Sequence, residues 1–598
     1  MKNLFRLFFV TFSLFLLVSC GGNGNDSAQE NESNSDGDSV AVSLRVARDA
    51  DGSCTGMELD CLSQEIAAIA FQIKNGKGEI VFQKSVARAD LKNLKEITGI
   101  KNADNATLVV SVFLGNDMNT PKWQGRVTSL KFEKGKTTKA TVLLYPAAPQ
   151  PKEVAMPEKL TTARFGHTST VLGDGRVLVA GGFASCGDNG KCAATESVEI
   201  IDIESGKIET LAPMTAKRAM HTAVTLNDGS ILFIGGVQSF SAAQQEESFQ
   251  NYPVLPYSLT GAVTTVERYM PSYPKFNMKE NNLGTPTANY TEQVSVPEGI
   301  AFLTFQSILA KRTSETGIDV FLVGGVEEVD ENKVPSAKTY KFTITDSTAE
   351  DGSVSIGGVT EFKETSSAML LPALAYSSGA ILAVGGRPVV AAAARDETNE
   401  ETTEETTEET SEETPGEETA DKTVVVASLI SENESRDITG DIKNNIFFTN
   451  STALDDALYT FAGMPNKKAI ENAKENGVIR KWNLSDGSMQ VFNKTENMLR
   501  SWNGNIAFAE TLYDSRNNRF IVIGGTDAED LYQVINATDF ELYGKDPTHK
   551  MSDKRIMPKA SVVPAGTIGD RPILVITGGT SALNSTGSAA NTIKINIL

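Results

Sequence analysis

The sequence predicts an all-β chain in two folded parts: a β-sandwich, then a seven-bladed β-propeller, with six blades as the alternative count. Three observations carry this. Six β-rich runs of strand length, broken by Asn, Asp, Gly and Lys clusters, fill residues 39–148, which is the spacing of an antiparallel sandwich of roughly 100 residues. An apolar run closed by glycine then recurs seven times across residues 149–598, the mark of a repeat architecture. Finally, the last copy lacks a fourth strand, while a strand-four-like segment precedes the first copy.

Length and composition set the outer bounds. A chain of 598 residues that is 40% hydrophobic is too long for one small domain and has ample material for large cores. Its net charge of −21 excludes nucleic acid or an anionic lipid surface as the main partner. Three histidines and five cysteines do not suffice for a His-rich metal site or a zinc framework.

Residues 1–19 read as an export signal. Lys2 and Arg6 precede the apolar run Leu7–Val18, which is too short to span a bilayer and ends on the small residue Ser19. Leu17-Val18-Ser19-Cys20 resembles the lipobox of bacterial lipoproteins. That resemblance implies a lipidated Cys20 at the mature N-terminus, a membrane partner reached through the acyl chains, and an outer-membrane location, since Gly21 stands where an inner-membrane retention aspartate would. Residues 20–38 form the tether. Residues 21–38 carry no apolar side chain larger than alanine, and a flexible coil of that length spans roughly 25 Å. The remaining cysteines pair by proximity, Cys54 with Cys61 and Cys186 with Cys192. In an oxidising compartment this reads as two local disulfides, with four inert thiols as the alternative.

The sandwich strands are expected at Val40–Val46, Ile66–Ile73, Glu79–Val86, Thr107–Leu114, Gly125–Phe132 and Thr138–Tyr145. The part looks like the immunoglobulin-like modules found near lipoprotein anchors, although no cysteine–tryptophan core signature is present. A spacer role follows from that likeness.

In the repeats, LGDGRVLVAGG ends at Gly182 and LNDGSILFIGG at Gly236, with Asp174-Gly175 and Asp228-Gly229 suited to tight hairpin turns. VFLVGG, ILAVGG, FIVIGG and LVITGG end at Gly325, Gly386, Gly525 and Gly579, and a degenerate YTFAG ends at Gly463. Two glycines at a strand end suit close backbone approach. Third strands are expected to follow, from Ser197–Asp202 in the first copy to Thr592–Ile597 in the last, and fourth strands such as Lys207–Leu211 and Met489–Phe492. Val154–Leu160 is expected to pair with the C-terminal blade, closing the ring and removing its open edges.

The diglycine copies, the first-strand starts TTARFGH (Thr161–His167) and TAKRAMH (Thr215–His221), and the third-strand SVE and TVE ending at Glu199 and Glu267 resemble the kelch repeats of galactose-oxidase-like propellers. The usual strand-four tryptophan is absent, and the starting arginine is kept at Arg164, Arg218, Arg500 and Arg555. These four are the candidate binding residues, an anion or carboxylate clamp at one channel mouth, with capping of blade junctions as the competing role.

The connections between second and third strands are expected to be irregular loops on one face, where binding evolves on rigid scaffolds. One of them, 387–422, holds an acidic block: residues 396–421 carry thirteen acids and no base. It reads as a disordered, solvated insertion, because it lacks the spacing of a calcium loop. No catalytic set, metal ligand set or cofactor is recognisable. His167, His221 and His549 are the only histidines, too few for the copper chemistry that galactose-oxidase-like enzymes use, and the first two occupy equivalent repeat positions, which argues for a structural role. The expectation is therefore a noncatalytic platform binding an envelope or extracellular protein or glycan. The alternatives are an extracellular carbohydrate-active hydrolase or lyase, and a purely structural envelope component.

Overall fold

The fold is given by a computed structural model that describes residues 38–47, 66–91, 96–115, 117–148, 153–187, 190–242, 257–270, 290–294, 296, 301–329, 332–346, 354–365, 368–385, 427–438, 450–461, 479–492, 508–525, 532–538, 540, 551, 553–568, 570–582 and 588–598. The expected export signal, the tether before Asp38, Cys20, Cys54, Cys61, Arg500 and the insertion 387–422 lie outside the described residues.

The alternating runs of the N-terminal part form strands Asp38–Val46, Ile66–Lys74, Ile80–Ala87, Ala103–Leu114, Trp123–Phe132 and Thr137–Pro146, each within a few residues of its expected bounds. A seventh strand, Ile97–Ile100, and a short helix, Arg88–Leu91, were not expected. All seven strands belong to one nearly closed sheet around a core that includes Val40, Ile69, Phe71, Val110, Phe132 and Val142. The expected antiparallel arrangement is corrected at one place. Asp38–Val46 and Thr137–Pro146 pair in parallel, from Ser39 opposite Thr137 to Val46 opposite Leu144. Both strands run toward the repeat region, so neither can return along the other.

Each repeat copy becomes a small antiparallel sheet whose strands pair in chain order, except that the last sheet takes its fourth strand from Val154–Lys159. Among the described residues there are seven such sheets, six with four strands and the sixth in sequence with three. The second strand is the most buried, as Val177–Ala180, Ile231–Ile234, Arg519–Ile523 and Ile573–Thr577 show, every residue of each being buried. The first strand of each sheet touches the first strand of the next, and that of the last sheet touches that of the first. Polar rungs tie these neighbours: the Ser169 and Ser561 hydroxyls lie 2.7 Å apart, Thr222 Oγ1 donates to Ile308 O at 2.9 Å, and Ser307 Oγ donates to Pro372 O at 2.7 Å. The segment before the first copy joins the last sheet, with Val154 opposite Ile595 and Lys159 opposite Thr592.

The diglycines are the seams between sheets. The second glycine of one sheet donates its N–H to a backbone carbonyl just ahead of the first strand of the next: Gly182 to Arg218, Gly325 to Met369, Gly525 to Arg555 and Gly579 to Arg164, at 2.8–2.9 Å. At Gly578, φ is 56° and an added Cβ would stand 2.4 Å from Arg164 O. Gly578→Ala combines left-handed strain with a backbone clash across the seam between the last and first sheets, for an expected loss of about 2–5 kcal/mol. Gly566 has φ 90°, and a Cβ added there would meet nothing within 4 Å, so Gly566→Ala is expected to lose only about 1 kcal/mol. Urea unfolding of both variants is the check, and equal losses would show that the seam is not tight.

The N-terminal sheet packs on the face that carries the turns between strands one and two and between three and four. Ala47, Leu143 and Tyr145 share an apolar cluster with Val154, Val177, Ile201, Ile568 and Ile595. Glu204, 4% exposed, accepts the Thr128 N–H at 3.1 Å and the Thr128 hydroxyl at 2.6 Å, and its backbone carbonyl accepts Leu143 N at 2.6 Å. Arg45 pairs with Glu158 and donates to Gly206 O at 3.1 Å, and Arg126 pairs with Asp570 at 3.1 Å. The opposite face is the one on which the strand two-to-three connections emerge.

Candidate functional site

That second face is built on a repeated backbone device. Two residues ahead of the first strand, φ is positive in six sheets: Gly166 (62°), Met220 (54°), Phe305 (57°), Leu371 (49°), Phe508 (60°) and Met557 (53°). Glycine adopts this conformation freely; the bulky residues pay steric strain unless their surroundings fix them. Hydrogen bonds between neighbouring copies fix them here. Met220 N donates to Gly166 O at 2.6 Å, Leu371 N to Phe305 O at 2.9 Å, Met557 N to Phe508 O at 3.0 Å, and Gly166 N to Met557 O at 3.3 Å. Their side chains form an apolar centre, in which Met220, Phe305, Leu371 and Phe508 are only partly buried and pack on Phe165, Phe183, Phe240, Ile556 and Met557.

The first two strand two-to-three connections, expected as irregular loops, are hairpins, and this corrects that expectation. Phe183–Cys186, Lys191–Ala194, Val237–Ala242 and Tyr257–Ala262 form one four-stranded accessory sheet in that order. Its underside is apolar because alternate residues point inward. Phe183, Cys192, Phe240 and Leu259 are buried, and the rings of Phe165, Phe183 and Phe240 lie 5.1–5.6 Å apart. Lys191, Ala193, Gln238 and Thr260 are exposed. Cys186 and Cys192 stand directly opposite in the first hairpin, with Cα atoms 3.9 Å apart and sulfurs 1.99 Å apart, at disulfide-bonding distance. A third connection, in the third sheet, is also a hairpin, Val326–Val329 with Asn332–Pro335.

The arginines expected at a channel mouth are elsewhere. Arg164, Arg218 and Arg555 are fully buried. Arg164 Nη1 donates to Gly181 O at 2.8 Å and Ser197 O at 3.1 Å, Nη2 donates to Ser197 Oγ at 2.7 Å, and the guanidinium pairs with Glu199. Arg218 repeats the pattern with Gly235 O at 2.9 Å, Thr265 O at 3.1 Å and Glu267 at 3.3 Å. Arg555 reaches Gly578 O at 2.9 Å and Thr592 O at 3.0 Å, and pairs with Asp553 at 3.0 Å. Each clamps the first diglycine carbonyl to the third strand of its own sheet, so a solvent-borne anion does not meet these groups. In the sixth sheet the residue two before Phe508 is Ile506, so Arg500 is out of register with the other three.

His167 and His221 also work between sheets. His167 Nε2 lies 2.8 Å from Thr577 Oγ1 and His221 Nε2 3.0 Å from Thr168 Oγ1, each reaching the preceding sheet. Burial holds both imidazoles well below the usual histidine range, and the nearby arginines add to it. Among the described residues no group of three His, Cys, Asp or Glu side chains is placed to hold a metal. A polar cleft of about 420 Å³ lies on the other side of the molecule, between Thr128 and Ser129 of the N-terminal sheet and Asp174 and Thr567 of the repeat turns. Its carboxylate, Asp174, is held by Arg176 Nε at 2.8 Å.

The apolar centre was missed at sequence level, yet a signal existed. Met220, Phe305, Leu371, Phe508 and Met557 all stand two residues before a first strand, at the position beside the histidines already aligned between copies. No protein-family model matches the chain, and no curated protein matches it.

Proposed function

We propose that this chain is a lipid-anchored envelope protein whose repeat region is a kelch-like, seven-bladed propeller. An immunoglobulin-like spacer carries it, and the propeller recognises a protein or glycan through the strand two-to-three face without catalysis. The observation that carries the reading is the polarity of the molecule. Asp38 pairs with Ile100 at one end of the N-terminal sheet, while Ala47, Leu143 and Tyr145 meet the repeats at the other. Strand Asp38–Val46, nine residues long, separates the two ends by roughly 30 Å. An anchor placed before Asp38 therefore lies on the far side from the face with the apolar centre and the accessory sheet, which is turned outward. A rigid platform with an apolar centre and a polar rim is the common anatomy of a recognition surface.

The test uses the chain from Cys20 to Leu598, with Cys20 changed to Ser, on a glycan array and in pull-downs from envelope extract. Gln238→Arg with Thr260→Arg, on the outer side of the accessory sheet, is expected to abolish capture of any specific ligand. Lys84→Glu, on the exposed side of the N-terminal sheet, is expected to leave it intact. Capture that survives the first variant, or is lost in the second, would overturn this choice of face.

A further inference from the structure

The fifth sheet reverses a charge. In the first two sheets, the third-strand residue opposite the penultimate residue of the second strand is a glutamate: Glu199 faces Val179 and Glu267 faces Phe233. Each pairs with an arginine four residues ahead of its first strand, Arg164 or Arg218. In the fifth sheet the third-strand position, opposite Thr460, is Arg480, and four residues ahead of the first strand at Asn450 the sequence has Ile446. The carboxylate is gone and a cation stands in its place.

Arg480 is 5% exposed, and its Nε and Nη1 have no hydrogen-bond partner among the described residues. The hydroxyl opposite it, Thr460 Oγ1, accepts Trp482 Nε1 at 3.2 Å and takes no hydrogen bond from Arg480 Nε or Nη1. Burial draws the guanidinium down to about 10, so it stays charged at neutral pH. A buried charge without a counter-charge is strongly unfavourable, and a group of this kind in a folded protein is commonly met by an ion.

We propose that Arg480 is the centre of a carboxylate-binding site in the fifth sheet. The planar guanidinium presents paired donors that match the two oxygens of a carboxylate. The equivalent slots of the first two sheets hold that same pairing within the chain. The ligand is a monocarboxylate, either a small free acid or the carboxylate of an acidic sugar.

The experiment follows thermal melting of the chain from Cys20 to Leu598 (Cys20→Ser) in sodium acetate, sodium glucuronate and sodium chloride at one ionic strength. Carboxylate line broadening in the 13C spectrum of labelled acetate serves as a direct readout. Saturating acetate or glucuronate is expected to raise the Tm by about 2–5 °C over chloride, and acetate is expected to broaden. Both effects should vanish in Arg480→Gln. Arg480→Met, which removes the charge, should melt above the unliganded parent. A larger shift with glucuronate assigns an acidic sugar, and a shift with acetate alone assigns a small acid. An equal Tm in all three salts, or broadening that persists in Arg480→Gln and Arg480→Met, would overturn the proposal. So would an Arg480→Met protein that melts lower than its parent with no acetate response, since Arg480 would then be paired by a carboxylate of the chain itself.

Discussion

Changing Arg164 to methionine is expected to destabilise the fold by about 3–5 kcal/mol, because it leaves the fully buried Glu199 without its counter-charge. Four further hydrogen bonds go with it, to Thr162 O, Gly181 O, Ser197 O and Ser197 Oγ. Glu199 keeps the backbone N–H groups of Thr161 and Thr162 at 2.6 and 3.2 Å, which places the loss toward the lower end of that range. Removing both charges should be milder: Arg164→Met with Glu199→Leu is expected to recover most of the stability, since no buried charge is left unpaired. Arg164→Lys keeps the charge but not the fork that spans two carbonyls, and should fall between. Urea unfolding of the four proteins decides it. A loss below about 1 kcal/mol for Arg164→Met would put this pair with ordinary surface ion pairs and remove its role as a clamp.

What the sequence disclosed and what it hid divide along a physical line. The second strands were legible because four or five apolar residues closed by glycine have a simple meaning that does not depend on distant partners. The seam role of the diglycines followed from the same pattern, since only a residue without Cβ fits 2.4 Å from a neighbouring carbonyl at Gly578. The pairing of Val154–Lys159 with Thr592–Ile597 was legible for a different reason: one copy lacked a strand and another segment had one to spare. The accessory sheet was not legible. Its strands Phe183–Cys186 and Lys191–Ala194 are four residues long and rich in small side chains, and what makes them strands is a buried underside supplied by Phe165 and Phe240 from elsewhere. The fate of the arginines was hidden similarly. Arg164 and Glu199 were both visible as repeat features, but only three-dimensional packing shows that one neutralises the other. The parallel pairing of Ser39 with Thr137 joins residues almost a hundred positions apart, and no local pattern encodes such a choice.

Acidification from pH 7 to pH 5 is expected to lower the stability of the fold through two histidines alone. An unfolded histidine titrates near 6.5, whereas burial keeps His167 and His221 neutral in the fold well below that value. Between the two values the unfolded chain binds more protons than the folded one, so stability falls with pH by about 1.4 kcal/mol per unit for each histidine. Above 6.5 the contribution is fully present. The loss stops only when the folded imidazoles themselves protonate. The geometry explains why they resist: each Nε2 is held by a threonine hydroxyl in the preceding sheet, and each Nδ1 is buried with no acceptor among the described residues. A second proton would therefore sit at a seam between sheets with nothing to receive it. Urea unfolding at pH 7.5, 6 and 5 should show this slope in the parent and lose most of it in His167→Gln with His221→Gln, which keeps a hydrogen-bonding group at each position but no titratable one. His549 lies outside the described residues and is present in both proteins, so their difference isolates the two seam histidines. Parallel pH profiles would mean that the imidazoles titrate in the fold as they do in water, and that the seams they bridge are open to solvent.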